Sequence, residues 1–319
     1  MTDPSHSRPQ PAASWKSIIV GTNGLRAGWR LLIFLALAGV PLAVLPSILR
    51  LFPSLGGPGG LPPGTITPAG LGGGDAIILT VICIATWIMG RIEHRKFSEY
   101  GLPPRQAFGK EFWFGALLGF LAINGTLLAM FLLHGFRVVG LTIHGTTILS
   151  SLVAWTITFL VVALFEEFGF RGYVQYTLTS GIRFWPAAFV ISGLFGLGHL
   201  LADVNENVVG SIAVVMFGLL LCLFLWRTGN LWCAVGFHMA YDWGETFFYG
   251  VPDSGLSPRN SLLTSAFSGP HWLTGGKVGP EASVLTPIAL LVVALIFSRR
   301  YRENRYQILR SRSLPVAAS

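Results

Sequence analysis

Charge is scarce in this chain. Of its 319 residues only 11% are Asp, Glu, Lys or Arg, against 52% hydrophobic, and that composition excludes an ordinary soluble domain. Cysteine is scarce as well. Cys83, Cys222 and Cys233 fall within or beside apolar runs and form no spaced pair, so neither a disulfide framework nor a zinc ribbon is implied. The pattern His-Glu-x-x-His is absent, as are internal repeats. No cleavable signal peptide is expected, because residues 1–15 are polar, rich in Pro and Ser, and the first apolar run lies well inside the chain.

What the chain does have is a series of continuous apolar runs, many near the roughly 20 residues a helix needs to cross a bilayer core of about 30 Å. Lipid leaves only helices or closed barrels as spanning structures, and runs without alternation select helices. The expected fold is all-α, a polytopic transmembrane bundle of about eight spans near 30–50, 75–91, 112–133, 147–170, 184–200, 208–226, 230–249 and 283–298. Residues 1–29 form a polar N-terminal segment, 30–298 the bundle and 299–319 an Arg-rich tail. Placing both termini in the cytoplasm puts 18 of the 22 basic residues on inner segments. Only Arg50, Arg137, Arg259 and Lys277 remain outside, as the positive-inside rule asks. The net charge of +8 therefore reflects topology, and no nucleic-acid partner is expected, since the basic residues flank apolar runs rather than forming a basic face. The lipid bilayer is the expected partner and the cell membrane, a bacterial inner or plasma membrane, the expected location. Segments 53–74 and 250–282 read as irregular outer loops.

An ionisable side chain in mid-bilayer costs at least roughly 2.5–3.5 kcal/mol and needs a partner, a watery cavity or a function. Here such residues cluster: Glu166, Glu167 and Arg171 at the end of span 4, His199 at the end of span 5, and His238, Asp242 and Glu245 in span 7. Glu167 and Arg171 share a helix face and can pair. Glu166 lies roughly 100° around the helix, is not consumed by that pair, and suits a general base. Phe195 can pack beside His199, and Asp242 can hold the His238 ring in one tautomer. Glu245 reads as a structural or cavity-lining residue. Gly169, Gly172, Gly193, Gly196, Gly198 and Gly236 would allow close helix approach.

The run Glu166-Glu167-Phe168-Gly169-Phe170-Arg171 resembles a Glu-Glu-x-x-x-Arg motif, Phe195-Gly196-Leu197-Gly198-His199 a Phe-x-x-x-His motif, and His238-Met239-Ala240-Tyr241-Asp242 a His-x-x-x-Asn/Asp motif. All three, in this order, are similar to those of the CPBP family, also called the Abi or CAAX-protease-like group, relatives of the type II CAAX prenyl endopeptidases. The resemblance covers roughly residues 90–250. It implies an intramembrane endopeptidase acting on a membrane-associated peptide or protein. Glu166 would activate water with His199, His238 and Asp242 would stabilise the oxyanion, and Glu167 and Arg171 would support them. Asp242 departs from the Asn of the eukaryotic prenyl proteases, and an ionised Asp cannot donate to an oxyanion.

Family members are commonly labelled metalloproteases. Glu166, His199 and His238 are the set that could hold zinc, although water activated directly by Glu and His needs no ion, and no cofactor is required. A non-catalytic scaffold or immunity protein, or a small-solute transporter, could use the same polar cavity; against a transporter, no inverted repeat is visible. A serine protease would have to use Ser192, seven residues from His199. An aspartyl protease would need Asp75 and Asp242 in an order reversed from that family, with Asp75 at the edge of a Gly-rich loop. Oligomeric state is open.

Overall fold

The computed structural model describes residues 19–21, 24–51, 62, 64–202 and 205–306. The polar N-terminal segment up to residue 18, the tail from 307 and Asp203 lie outside the described residues. The chain is mostly helical. Helix α1 is Ala27–Leu51, α2 Pro68–Ile92 and α3 Lys110–Leu132. Helix α4, Thr146–Glu166, runs on through a π-helical stretch, Glu167–Val174, into α5, Gln175–Ile182. Then come α6 (Phe184–Ala202), α7 (Val208–Thr228), α8 (Trp232–Asp242) with a second π-helical stretch over Trp243–Phe248, and α9 (Leu285–Arg300). The breaks follow local chemistry. Thr67 caps α2 by accepting from the Gly70 amide at 3.1 Å, with Pro68 in the first turn. Asn207 caps α7, which ends at Gly229 in the left-handed region with φ 77°.

Six helical segments are long and apolar enough to cross a membrane: Ala27–Ser47, Pro68–Ile92, Lys110–Leu132, Thr146–Ile182, Phe184–Ala202 and Val208–Thr228. The other two expected spans fold as shorter rods. Trp232–Asp242 with its π-helical extension and Leu285–Arg300, 16 residues or about 24 Å at 1.5 Å per residue, still connect the same two ends of the bundle. At one end Asn230 donates to Gln106 and Glu111, while Lys110, Arg227, Arg299, Arg300, Arg302 and Arg305 line one cavity of about 480 Å³. At the other end Ser265 donates to the Tyr249 carbonyl, and Ser283 to that of Leu273. Large apolar side chains face outward along the rods, among them Leu121, Leu128, Ile157, Phe189, Leu194 and Leu295. An outer surface of that kind belongs against lipid rather than water.

Three expectations need correction. The fold is not wholly α: strand β1 (Phe136–Leu141) pairs antiparallel with β2 (Leu263–Phe267), and Thr65–Ile66 runs parallel to Ser257–Pro258. The segment 250–282 is thus not irregular throughout. Both ribbons join stretches more than 100 residues apart, which no local periodicity reveals. Span 2 begins at Pro68 rather than 75, so Gly72-Gly73-Gly74-Asp75 is helical and not a loop edge. Span 4 does not stop at 170, because the π-helical stretch carries it on to Ile182.

Candidate active site

Helix α8, which carries the His238–Asp242 motif, packs against α3 through glycine. A Cβ built on Gly115 would come within 2.1 Å of the Cys233 carbonyl oxygen, one on Gly119 within 2.1 Å of the Phe237 carbonyl and one on Gly236 within 2.1 Å of the Phe112 carbonyl. Only residues without a Cβ let α3 and α8 approach so closely, and this contact sets the depth at which His238 sits. On the other side of His238, α4 widens into its π-helical stretch at Glu167, with Gly172 outside helical geometry at φ −76°, ψ −113°. The extra residue in the turn re-aims the side chains there, a common use of π-bulges. The second π-helical stretch starts immediately after Asp242.

His238 is the hub. It is buried, and its Nδ1 lies 2.9 Å from Glu167 Oε1. Its Nε2 lies 3.2 Å from Asp242 Oδ2 and 3.4 Å from Glu166 Oε2. Each nitrogen thus faces a carboxylate, and an imidazolium is the form that donates on both sides. The Glu166 contact is the loosest, beyond ordinary hydrogen-bond length, and the Glu166 side chain keeps 16% exposure where Glu167 has none. Glu167 Oε1 also accepts from Arg171 at 3.1 Å, which is the expected pair. That same oxygen, rather than Asp242 alone, orients His238, a link that spans 71 residues of sequence and cannot be read from either motif by itself.

His199 enters from α6. Its Nδ1 donates to the Phe195 carbonyl at 3.0 Å, which in the neutral ring leaves the lone pair on Nε2. It lies within electrostatic range of Glu166. Phe195 packs edge-on against His199 with ring centroids 4.6 Å apart, and the Arg171 guanidinium sits 4.4 Å from the Phe195 ring centre. Arg171 therefore touches both halves of the site, the Glu167–His238 side by charge and the Phe195–His199 side by cation–π contact. Ser192 is buried, with its hydroxyl 3.9 Å from the Cys222 sulfur.

Two residues depart from expectation; Glu166 does not, since it stays outside the Glu167–Arg171 pair and reaches His238. Asp75, set aside from the sequence, lies on α2 within electrostatic range of Glu166; the signal that could have found it is a carboxylate inside an apolar helical run. Glu245 does not continue the His238–Asp242 stripe into the site, because the π-helical stretch turns it towards Asp253 and Glu281. In the loops those two groups are held high. Burial first, then the neighbouring Asp242 and Glu281 charges, lifts Asp253 well above the usual carboxylate range, and burial raises Glu281 to about 7 against its Ser254 hydrogen bonds.

Among the described residues, the donors of Glu166, His199 and His238, the set expected for zinc, do not all come within 4.8 Å of one another.

Residues 148–244 match the family model described as type II CAAX prenyl endopeptidase Rce1-like. The matched segment, about a third of the chain, contains all three motifs. No curated protein matches the chain.

Proposed function

We propose that this chain is an intramembrane endopeptidase that hydrolyses a peptide bond in a membrane-associated peptide or protein. The observation that carries the reading is the meeting of Glu166, Glu167 and Asp242 on one imidazole, His238, inside a domain matched to a protease family. Glu166, loosely held and part exposed, takes the proton from the attacking water. His199, its tautomer fixed by the Phe195 carbonyl, orients that water at Nε2, then takes the proton from Glu166 there and passes it to the leaving amine. His238, anchored through Nδ1 by Glu167, turns its Nε2–H from Asp242 to the oxyanion as that charge forms, a contribution worth about 10²–10³ in rate where one such donor has been removed. Asp242 needs no proton of its own in this scheme, because it only holds the Nε2–H of His238 until the oxyanion takes it. The residues support a route with water activated by Glu and His, without a metal step.

Newly formed peptide N-termini in membranes containing the full-length protein, compared with membranes containing Glu166→Gln, test this reading. The expected result is a set of cleavages present with the parent and lost with Glu166→Gln at equal abundance. Retained cleavage would remove Glu166 from the role of base. Absence of any cleavage difference, with both proteins folded, would move the chain to the scaffold class.

A further inference from the structure

Glu245 is fully buried, and neither of its carboxylate oxygens has a hydrogen-bond partner in the protein. It is aimed into a small acidic pocket. One donor atom from each of Glu245, Asp253 and Glu281 lies within 4.8 Å of the others, and among the described residues these three alone gather in this way. Burying charge without compensation is strongly unfavourable, and three ionised carboxylates in one pocket need a positive charge among them. No Lys or Arg among the described residues forms an ion pair with any of the three.

The surroundings are built to hold two of these carboxylates in place. Thr246 Oγ1 donates to Asp253 Oδ2 at 3.0 Å, and the Ser254 amide and hydroxyl donate to Glu281 Oε2 at 2.8 and 2.7 Å. Such outer hydrogen bonds orient the ligands of a metal ion. The loops that carry them are clamped together: Asp253 and Leu256 exchange backbone hydrogen bonds, and Gly279, at φ 105°, brings its backbone so close to Pro252 that a Cβ would meet the Pro252 carbonyl at 2.2 Å. Asp253 is part exposed, which gives an ion a way in, while Glu245 forms the floor.

We propose that Glu245, Asp253 and Glu281 bind a hard divalent cation of the Ca²⁺ or Mg²⁺ kind, which ties the 250–282 segment to the helix bearing His238 and Asp242. The donor set is all carboxylate oxygen, with no Cys or His, and suits hard cations rather than zinc or copper. The three carboxylates are not among the residues assigned to hydrolysis, although they lie within electrostatic range of Asp242, His238 and His199, and ion binding is read without a substrate.

The full-length protein, purified in detergent and stripped with chelator, is titrated with Ca²⁺ or Mg²⁺ while Tm is followed, and with Mn²⁺ while its free spin signal is followed. Binding of about one ion per chain with a rise in Tm is expected, because an ion that binds only the folded state stabilises it. The preferred cation is the one that saturates at lower concentration. Glu245→Gln and, as a part-exposed substitution that spares the floor, Asp253→Asn should each weaken binding more than about tenfold, at least the loss that outer-shell changes bring. A flat Tm with no Mn²⁺ uptake would overturn the proposal. Unchanged binding in both variants would overturn it too, by placing the ion elsewhere. Stabilisation by acid alone, with no response to ions, would mean that shared protons hold the cluster and not a cation.

Discussion

At the scale of the residue, the motif spacings were informative for pairs on one helix and silent for pairs across helices. Glu167–Arg171 and His238–Asp242 follow directly from i, i+4 geometry and are found at 3.1 and 3.2 Å. The bridge from Glu167 to His238 joins α4 to α8 and depends on a π-helical turn that the sequence does not mark. That bridge makes the roles of Glu167 and Arg171 separable. Arg171→Met leaves the buried Glu167 with His238 as its remaining charged partner and should lower stability by up to roughly 3–5 kcal/mol, the loss seen when one partner of a buried pair is removed. The double change Glu167→Gln with Arg171→Met removes both charges and should recover much of that loss in thermal unfolding. It should not recover proteolysis, because His238 Nδ1 would have lost its carboxylate. A double variant that is both stable and fully active would show that Glu167 serves Arg171 alone.

At the scale of the element, the helices were legible because continuous apolar runs of spanning length have one reading. Their irregularities were not, since π-helical turns arise from packing rather than from any residue pattern. Glycines marked close approach only in part. Gly196 does lie against α7, where a Cβ would meet Val215 at 2.6 Å, but Gly193 and Gly198 face open space. The tightest contact, between α3 and α8, uses Gly115 and Gly119, which carry no motif. Gly119→Val should drive α3 away from Phe237, the residue before His238. Overpacking of this kind typically costs about 1–3 kcal/mol, and more when the obstacle is backbone. Activity should fall further than stability does, because the displaced strip of α8 carries the hub of the site. Gly125→Ala on the same helix is the control: nothing lies within 4 Å of the added Cβ, and the change should be neutral or slightly stabilising, by up to about 1 kcal/mol. Equal effects of the two substitutions on Tm and turnover would remove the close contact as the cause.

A second element-scale feature ties the bundle at one end. Glu93, at the end of α2, pairs with Arg30 of α1 and accepts from Tyr100 and from Tyr173 in the π-helical stretch. One carboxylate therefore serves three elements. Glu93→Ala strands a half-buried Arg and two tyrosine hydroxyls at once, and the loss of hydrogen bonds to a charged group, at about 1.5–3 kcal/mol each, should exceed that of a surface pair. Thermal unfolding in detergent would show it. A shift no larger than that of Glu99→Ala, which breaks the exposed pair with Arg95 and one capping bond from the Lys96 amide, would count against the knot.

At the scale of the whole molecule, the count of membrane crossings decides on which side each loop lies. Six crossings or eight are both even, so tags on the two termini cannot separate them. The deciding elements are the short rods, and above all α9, whose 16 residues reach about 24 Å against a hydrocarbon core of about 30 Å. Local thinning and snorkelling of the flanking Arg299 and Arg300 can absorb such a shortfall. The crowding of Lys110, Arg227 and Arg299 to Arg305 around one cavity, with Arg137, Arg259 and Lys277 outside that group, is the asymmetry expected if α9 crosses. The prediction is that the exposed Lys277 and Glu303 face opposite sides. With Lys277→Cys or Glu303→Cys in the full chain, an impermeant maleimide applied to intact cells should label the first. It should reach the second only after the membrane is opened. The parent chain sets the background, since Cys222 and Cys233 are buried and Cys83 is half-buried on α2. Labelling of both sites from outside would mean that α9 does not cross. Labelling of Glu303→Cys alone would invert the molecule, leave the bundle intact, and put its Arg-rich end against the opposite leaflet.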